Sequence, residues 1–369
     1  MARARRLARR SGLPRLARLA LWGLAILVAV PTLATILAVG AAAFRETGNR
    51  RALAPLTGRF VQAHDVDLYI QEAGPADGHV VVLVHGTGAW SEIWRETMRR
   101  LAERGYRAVA VDMPPFGFSE RPSSRDYTTA TQGRRLAALL TRFDRTGVTL
   151  VGHSFGARAA MESVMLAPQK IRALVLVDAA LGLHAPDGSA LRDADDPPGI
   201  ISAALALAPV RRPLVAGLVT NPMTTRLLLK QLISRKEAAT PATVEMLQRP
   251  LFVQGSTTAL GEWLQWFVHP DRPPRSGRIA SYRILKAPTL VIWGAADSVT
   301  PLAQGKAIAS LFASARLEVL DGTGHIPAIE SPAAFNAAML AFLASVTEDQ
   351  PRARPRKVDG ADVGGAESL

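Results

Sequence analysis

The pentapeptide Gly152-His153-Ser154-Phe155-Gly156 sets a serine hydroxyl between two glycines. A serine hydroxyl is a weak nucleophile at neutral pH. It needs a base, an acid to orient that base, and donors for a developing oxyanion. The apolar run at 149–151 reads as a buried strand and 157–166 as a helix. A sharp strand-to-helix turn holds its serine in a strained backbone conformation, with the oxygen exposed at the end of a sheet. Gly152 and Gly156 keep side chains out of that crowded turn. The Phe155 N–H, at the helix start, points where an oxyanion would form. By themselves the five residues describe equally well a glycine-rich turn with an incidental serine, so the rest of the chain has to decide.

Catalytic groups in an open parallel sheet gather at the carboxyl ends of strands. Of the seven histidines (His64, His79, His85, His153, His184, His269 and His325), only His325 follows the final strand, in Asp321-Gly322-Thr323-Gly324-His325. It is the expected general base. His85, at another strand end, is assigned an orienting hydrogen bond. His153 is expected to be locked beside Ser154, facing elsewhere. Asp297 lies just past a strand, in Trp293-Gly294-Ala295-Ala296-Asp297, and is the expected orienting acid. Asp178 also ends a strand and is the alternative acid. Asp112 is expected to bond nearby backbone amides. A second oxyanion donor is expected from the Thr87 amide, in the loop Gly86-Thr87-Gly88.

The elements that must position these groups follow from periodicity. Val66-Asp67-Leu68-Tyr69-Ile70 alternates like a half-buried strand, whereas His79-Val80-Val81-Val82-Leu83-Val84 is a continuous apolar run typical of a strand covered on both faces. Further strands read at 108–111, 173–177, 289–293 and 315–320. Helices read at 90–103, 128–143 and 332–345. This alternation implies a parallel sheet with helices on both sides. The stretch 181–280 breaks it with a Pro/Asp/Gly-rich loop and then helical patterns. It reads as a helical lid over the active edge, with Trp263, Trp266 and Phe267 as lid core rather than substrate contacts. Residues 60–180 and 281–346 then form the core, and 347–369 reads as a disordered tail.

The chain has 369 residues, no cysteine and a net charge of +13. Without cysteine there is no disulfide and no thiolate site. Seven arginines and no acid fall within the first 18 residues, so the basicity is concentrated at the terminus, and no basic-aromatic surface for nucleic acid is seen. Residues 19–44 carry no charge. As a helix they would span about 39 Å, against roughly 30 Å for a bilayer core. Pro31 falls within this run, as membrane helices tolerate. The segment reads as a signal anchor with the basic residues 1–18 cytoplasmic, 45–59 as a linker and the remainder outside, periplasmic or extracellular. Cleavage near Ala43 would instead release a secreted protein, and Arg9-Arg10 allows a twin-arginine signal. No H-E-x-x-H and no P-loop occur, so neither a metal nor a phosphate site is expected.

Four pieces in order, His85-Gly86-Thr87-Gly88, Asp112-Met113-Pro114-Pro115-Phe116-Gly117-Phe118-Ser119, the Ser154 turn, and the Asp297 and His325 loops, resemble the α/β-hydrolase superfamily over about 60–343. The likeness is strongest to the capped carboxylesterase, lipase and carbon–carbon hydrolase branch. It implies an α/β fold with a doubly wound, mostly parallel sheet of about eight strands, a helical cap and no cofactor. Pro115 stands where the second piece usually has glycine, which implies a reshaped pocket rim. Serine at 154 disfavours the epoxide hydrolase and haloalkane dehalogenase activities, which place aspartate there. The expected function is hydrolysis of a lipophilic carboxylic ester through Ser154, His325 and Asp297, with Thr87 and Phe155 as oxyanion donors. The alternatives are a carbon–carbon hydrolase or haloperoxidase-like enzyme with the same triad, or an inactive membrane-tethered binding module.

Overall fold

A computed structural model describes residues 15–143, 147–183, 199–268, 274–283 and 285–348. Most of the basic N-terminal cluster, the loop beginning at His184, His269 and nearly all of the expected tail lie outside the described residues.

Among the described residues the α-helices of seven residues or more are α1 (Arg15–Arg45), α2 (Arg95–Glu103), α3 (Thr129–Leu140), α4 (Gly156–Leu166), α5 (Gly199–Ala206), α6 (Ala208–Leu214), α7 (Pro222–Leu232), α8 (Pro241–Gln248), α9 (Ser256–Val268), α10 (Leu302–Ser310) and α11 (Pro332–Glu348). Eight strands form one sheet: β1 (Gly58–Ala63), β2 (Val66–Ala73), β3 (Val80–Val84), β4 (Arg107–Val111), β5 (Val148–His153), β6 (Ile171–Val177), β7 (Thr289–Gly294) and β8 (Ala315–Leu320). Their spatial order is β1-β2-β4-β3-β5-β6-β7-β8. The β1–β2 and β2–β4 pairings are antiparallel and the rest parallel.

The two-residue period of a strand explains the layering. Val82 and Val84 of β3 join the core under α3, α4 and α10, while Val81 and Leu83 join the core under α2 and α11. Leu150 and Val151 of β5 divide in the same way. With helices on both faces, nearly every residue of β3 to β7 must be apolar, and that is the signal the sequence carried. The sheet is therefore doubly wound and mostly parallel, with a helical cap, as the resemblance implied.

The cap runs from α5 to α9, with a π-helical turn at Val215–Val219. Its helices start where the sequence supplies caps. Asn221 and Thr240 each accept a hydrogen bond from a backbone N–H two or three residues on, and a proline follows each. The helix expected from Trp90 divides into a 3₁₀ turn (Ser91–Trp94) and α2.

α1 is long and apolar enough to cross a membrane, by length and composition. The stretch after it, expected as a polar linker, is docked on the cap. The buried Glu46 carboxylate accepts the Thr257 N–H at 3.1 Å, and the Thr257 hydroxyl, in the first turn of α9. The Gly48 N–H donates to the Phe252 carbonyl at 3.1 Å, and the Gln254 N–H to the Gly48 carbonyl at 2.9 Å. These are contacts between distant backbone groups, which composition does not encode.

The packing makes a direct prediction for the sheet. Leu150 is fully buried at the centre of β5, so Leu150→Ala should destabilise the fold by about 2–5 kcal/mol. Urea denaturation checks this, the expected result being a lower midpoint at unchanged slope.

Candidate active site

The turn after β5 places Ser154 at φ +50, a left-handed conformation rare for a residue with a side chain. The crowding around it is severe. A Cβ on Gly86 would lie 2.8 Å from the Ser154 Cβ, and one on Gly156 would lie 2.1 Å from the His85 carbonyl oxygen. Glycine at both positions lets the loop after β3 press against the turn after β5. Thr87 follows Gly86 in that loop, and Phe155 is the capping residue of α4. Thr87 and Phe155 thus lie in the two segments that meet around Ser154.

The three side chains singled out from strand ends meet. The Ser154 hydroxyl donates to His325 Nε2 at 2.7 Å, and His325 Nδ1–H donates to Asp297 Oδ2 at 2.8 Å. All three are buried. Burial pushes the Asp297 carboxyl up, but hydrogen bonds from His325 and Thr300 outweigh it and leave the group below the usual carboxylate range. Asp297 Oδ1 also accepts the Val299 and Thr300 amides at 2.7 and 3.0 Å. Asp297 is held as a carboxylate by these donors.

Asp178, the alternative acid, is close by but does a different job. Its Oδ1 accepts the Gly294 N–H at 2.8 Å, tying the end of β6 to the end of β7. Burial, with Asp297 nearby, pushes its carboxyl well above the usual range. One ligand atom each of Asp178, Asp297 and His325 lies within 4.8 Å of the others, the spacing of a metal site. Here, however, His325 presents Nδ1–H to Asp297 and turns Nε2 to Ser154, so both ring nitrogens are engaged by side chains.

Other side chains fix the frame. His85 Nδ1–H donates to the Gly86 carbonyl at 2.7 Å and Nε2 accepts the Met113 N–H at 2.9 Å, the orienting role expected. Asp112 accepts the Ser91 and Phe118 amides at 2.6 and 2.7 Å, also as expected. His153 departs from its expectation. It does not face away: its Nε2–H donates to the His325 carbonyl at 2.7 Å and so positions His325 through its backbone. Two further residues escaped the sequence reading. The Thr300 hydroxyl donates to Asp297 Oδ2 at 2.6 Å. Glu330 accepts the Gly324 and Ile326 amides on either side of His325, at 2.9 and 3.0 Å. The only sequence signal for Glu330 is its place five residues after His325, at a helix start.

A cavity of roughly 310 Å³ lies between the sheet edge and the cap and reaches Thr87 and Ile326, the neighbours of the nucleophile and base. Its walls are mostly apolar, among them Trp90, Phe116, Leu229 and Leu260, and Arg121 is the charged side chain in the lining. Pro115 is part of the wall. Trp263 serves as both cap core and cavity wall, packing on Phe116 and Phe155 at ring-centre distances of 5.1 Å. Phe267 stacks on Trp263, whereas the Trp266 indole N–H donates to the Arg125 carbonyl.

Residues 79–332 match the α/β hydrolase fold family, and the chain belongs to that family. It is an enzyme of the hydrolase class. An uncharacterised protein of Mycobacterium tuberculosis is 29% identical over 285 residues, covering 77% of this chain and 80% of that one. A 2-hydroxy-6-oxononadienedioate/2-hydroxy-6-oxononatrienedioate hydrolase of Cupriavidus pinatubonensis is 27% identical over 303 residues, covering 78% and 95%. Among solved structures, a serine hydrolase involved in carbazole degradation superposes with a TM-score of 0.61 at 25% identity, covering 78% of this chain and 98% of that one.

The two structural histidines set a pH dependence. Burial pushes His85 down to about 4 and His153 down to about 3, so both rings are neutral in the folded state. The unfolded chain takes up protons on both below about 6.5, and stability is lost as pH falls from there toward 4. Asp112, pushed up to about 6 by burial, and Asp178, pushed well above the usual range, act in the opposite sense. Each neutral ring makes melting temperature fall more steeply between pH 6.5 and 4 than it otherwise would. His153→Gln, which keeps a donor for the His325 carbonyl, should flatten that slope; an unchanged slope contradicts the neutral buried ring.

Proposed function

We propose that the protein is a membrane-anchored serine hydrolase that cleaves lipophilic carboxylic esters. The observation that carries this reading is the continuous hydrogen-bonded path from Ser154 through His325 to Asp297, next to an apolar cavity. His325 Nε2 takes the hydroxyl proton as Ser154 Oγ bonds to the acyl carbon, and Asp297 stabilises the imidazolium. The tetrahedral oxyanion accepts the Thr87 and Phe155 amides; each such donor contributes on the order of 3 kcal/mol. The acyl–alkoxy bond breaks and His325 returns its proton to the departing alcohol. A water molecule, deprotonated by His325, then attacks the acyl carbon; the bond to Ser154 Oγ breaks, and His325 returns the proton to Oγ as the acid leaves. No step calls for a cofactor. α1 serves as the anchor, with the basic terminus cytoplasmic and the hydrolase on the far side.

A second reading, hydrolysis of a carbon–carbon bond beside a ketone, is favoured by the activity of the Cupriavidus relative. Arg121 in the cavity wall would then meet a substrate carboxylate.

The two separate on a panel of p-nitrophenyl esters of increasing acyl length beside a vinylogous 1,5-diketone. The expected outcome is ester hydrolysis that rises with acyl length, with diketone cleavage far slower. Faster diketone cleavage selects the second reading. Ser154→Ala should remove turnover, and Asp297→Asn should lower kcat by about 10³–10⁴ with the fold kept, as circular dichroism checks. Full activity in Asp297→Asn contradicts its assigned role.

A further inference from the structure

The cap exposes large apolar side chains that the hydrolase chemistry leaves without a task. Leu207, Leu214 and Leu218 recur at helical spacing along α6 and the π-helical turn. Met223 and Leu227 repeat one turn apart on α7. Their exposures decide the matter: 53% for Leu218, 90% for Met223 and 60% for Leu227. Exposed apolar side chains repeated along two successive elements are the pattern of an interaction face.

The position of α1 says what covers them. A methyl group at Gly217 would lie 3.6 Å from the Ala38 side chain, so the π-helical turn packs beside α1 at that level. Ala38 stands seven residues before Arg45, about 10 Å along the helix. The charge-free run continues past Ala38 to Phe44. The turn carrying Leu218 thus lies alongside apolar helix, short of its first charge. The junction is fixed by the Glu46–Thr257 and Gly48–Phe252 bonds, so the cap cannot swing free of the anchor.

Charge points the same way. Residues 199–236 contain six lysines and arginines and no aspartate or glutamate, and Arg212 and Arg226 are exposed. A basic rim around an apolar face suits an anionic lipid surface. A two-fold contact with a second copy would bring the same cations together.

We propose that this face of the cap docks on the bilayer that α1 spans, and that ester substrates enter the cavity sideways from the membrane. This rests on the reading of α1 as a span and of Ser154 as an ester-cleaving nucleophile. One helix separates lipid from cavity: Leu229 and Leu232 of α7 line the cavity while Met223 and Leu227 are exposed. Val219 and Leu228 belong to the lining and are also exposed, which marks the mouth on the docking face. The substrate class is therefore an acyl ester resident in the lipid leaflet.

The absence of cysteine permits a clean test. The full chain is reconstituted in phosphatidylcholine/phosphatidylglycerol vesicles with one labelled cysteine, as Leu218→Cys, Met223→Cys or, at the exposed distal end of α10, Ser310→Cys. Lipids brominated near the carbonyl end of their chains should quench fluorophores at 218 and 223 and leave that at 310 unaffected. Equal quenching at all three, or none, overturns the docking. So does concentration-dependent crosslinking between copies through 218, which makes a second chain the occupant. The double variant Leu218→Asp/Met223→Asp should hydrolyse water-soluble umbelliferyl butyrate as the native chain does. It should lose about tenfold or more on umbelliferyl oleate dissolved in the vesicles; equal loss on both esters, or on neither, contradicts lateral uptake. If the native chain hydrolyses neither ester, the esterase reading fails, and the quenching result still decides the docking.

Discussion

The hydrogen bond from the Ser154 hydroxyl to His325 Nε2 joins residues 171 positions apart, and it forms only if two strand-end loops reach the same point from different directions. The turn after β5 contributes a serine forced to positive φ, and the loop after β8 contributes the imidazole. The loop after β3 presses on the serine turn, and the loop after β8 on the end of β7, so closely that Gly86, Gly156 and Gly294 tolerate no side chain. The doubly wound sheet meets this demand because its parallel strands deliver all their carboxyl ends to one edge. Apolar packing on both faces then fixes the positions of those ends relative to one another.

Electrostatics divides the labour between two buried carboxyl groups that a sequence treats alike. Asp297 sits among donors (His325, Thr300 and two backbone amides) and stays ionised. Asp178 has one backbone donor, from Gly294, and a carboxylate for a neighbour, so burial favours its protonated form. Like charges at such range cannot both persist in a low-dielectric site. The outcome is one carboxyl held low that faces the imidazole and a second, pushed well up, that clasps β6 to β7. The same logic holds His85 and His153 neutral, which leaves His325 as the histidine turned toward the serine.

Much of this was legible in the sequence, and the reasons are physical. Strands buried on both faces leave continuous apolar runs, and the nucleophile turn leaves a glycine signature, so β3, β5, β6, β7 and Ser154 could be read directly. His325 and Asp297 followed from their places after strands. What could not be read depends on backbone contacts between distant segments. His153 reaches the His325 carbonyl, Glu330 gathers the amides around the base, and Glu46 caps a helix more than two hundred residues away. None of these has a local pattern. The docking of 46–54 on the cap was missed for the same reason, since a polar stretch after an apolar helix looks like a tether.

That docking joins α1 to the cap, and the cap in turn to the site. The His325 amide donates to the Leu232 carbonyl at 3.2 Å, at the end of α7, so the cap helix that walls the cavity also touches the loop carrying the base. The account as a whole depends on Ser154 being activated by His325. The most direct measurement is covalent labelling of the full chain by a fluorophosphonate, with the adduct located by mass spectrometry. The account predicts a single adduct, on the peptide containing Ser154, and labelling slowed by about 10³-fold or more in His325→Ala. An adduct elsewhere, or labelling of Ser154 at an undiminished rate without His325, would contradict it.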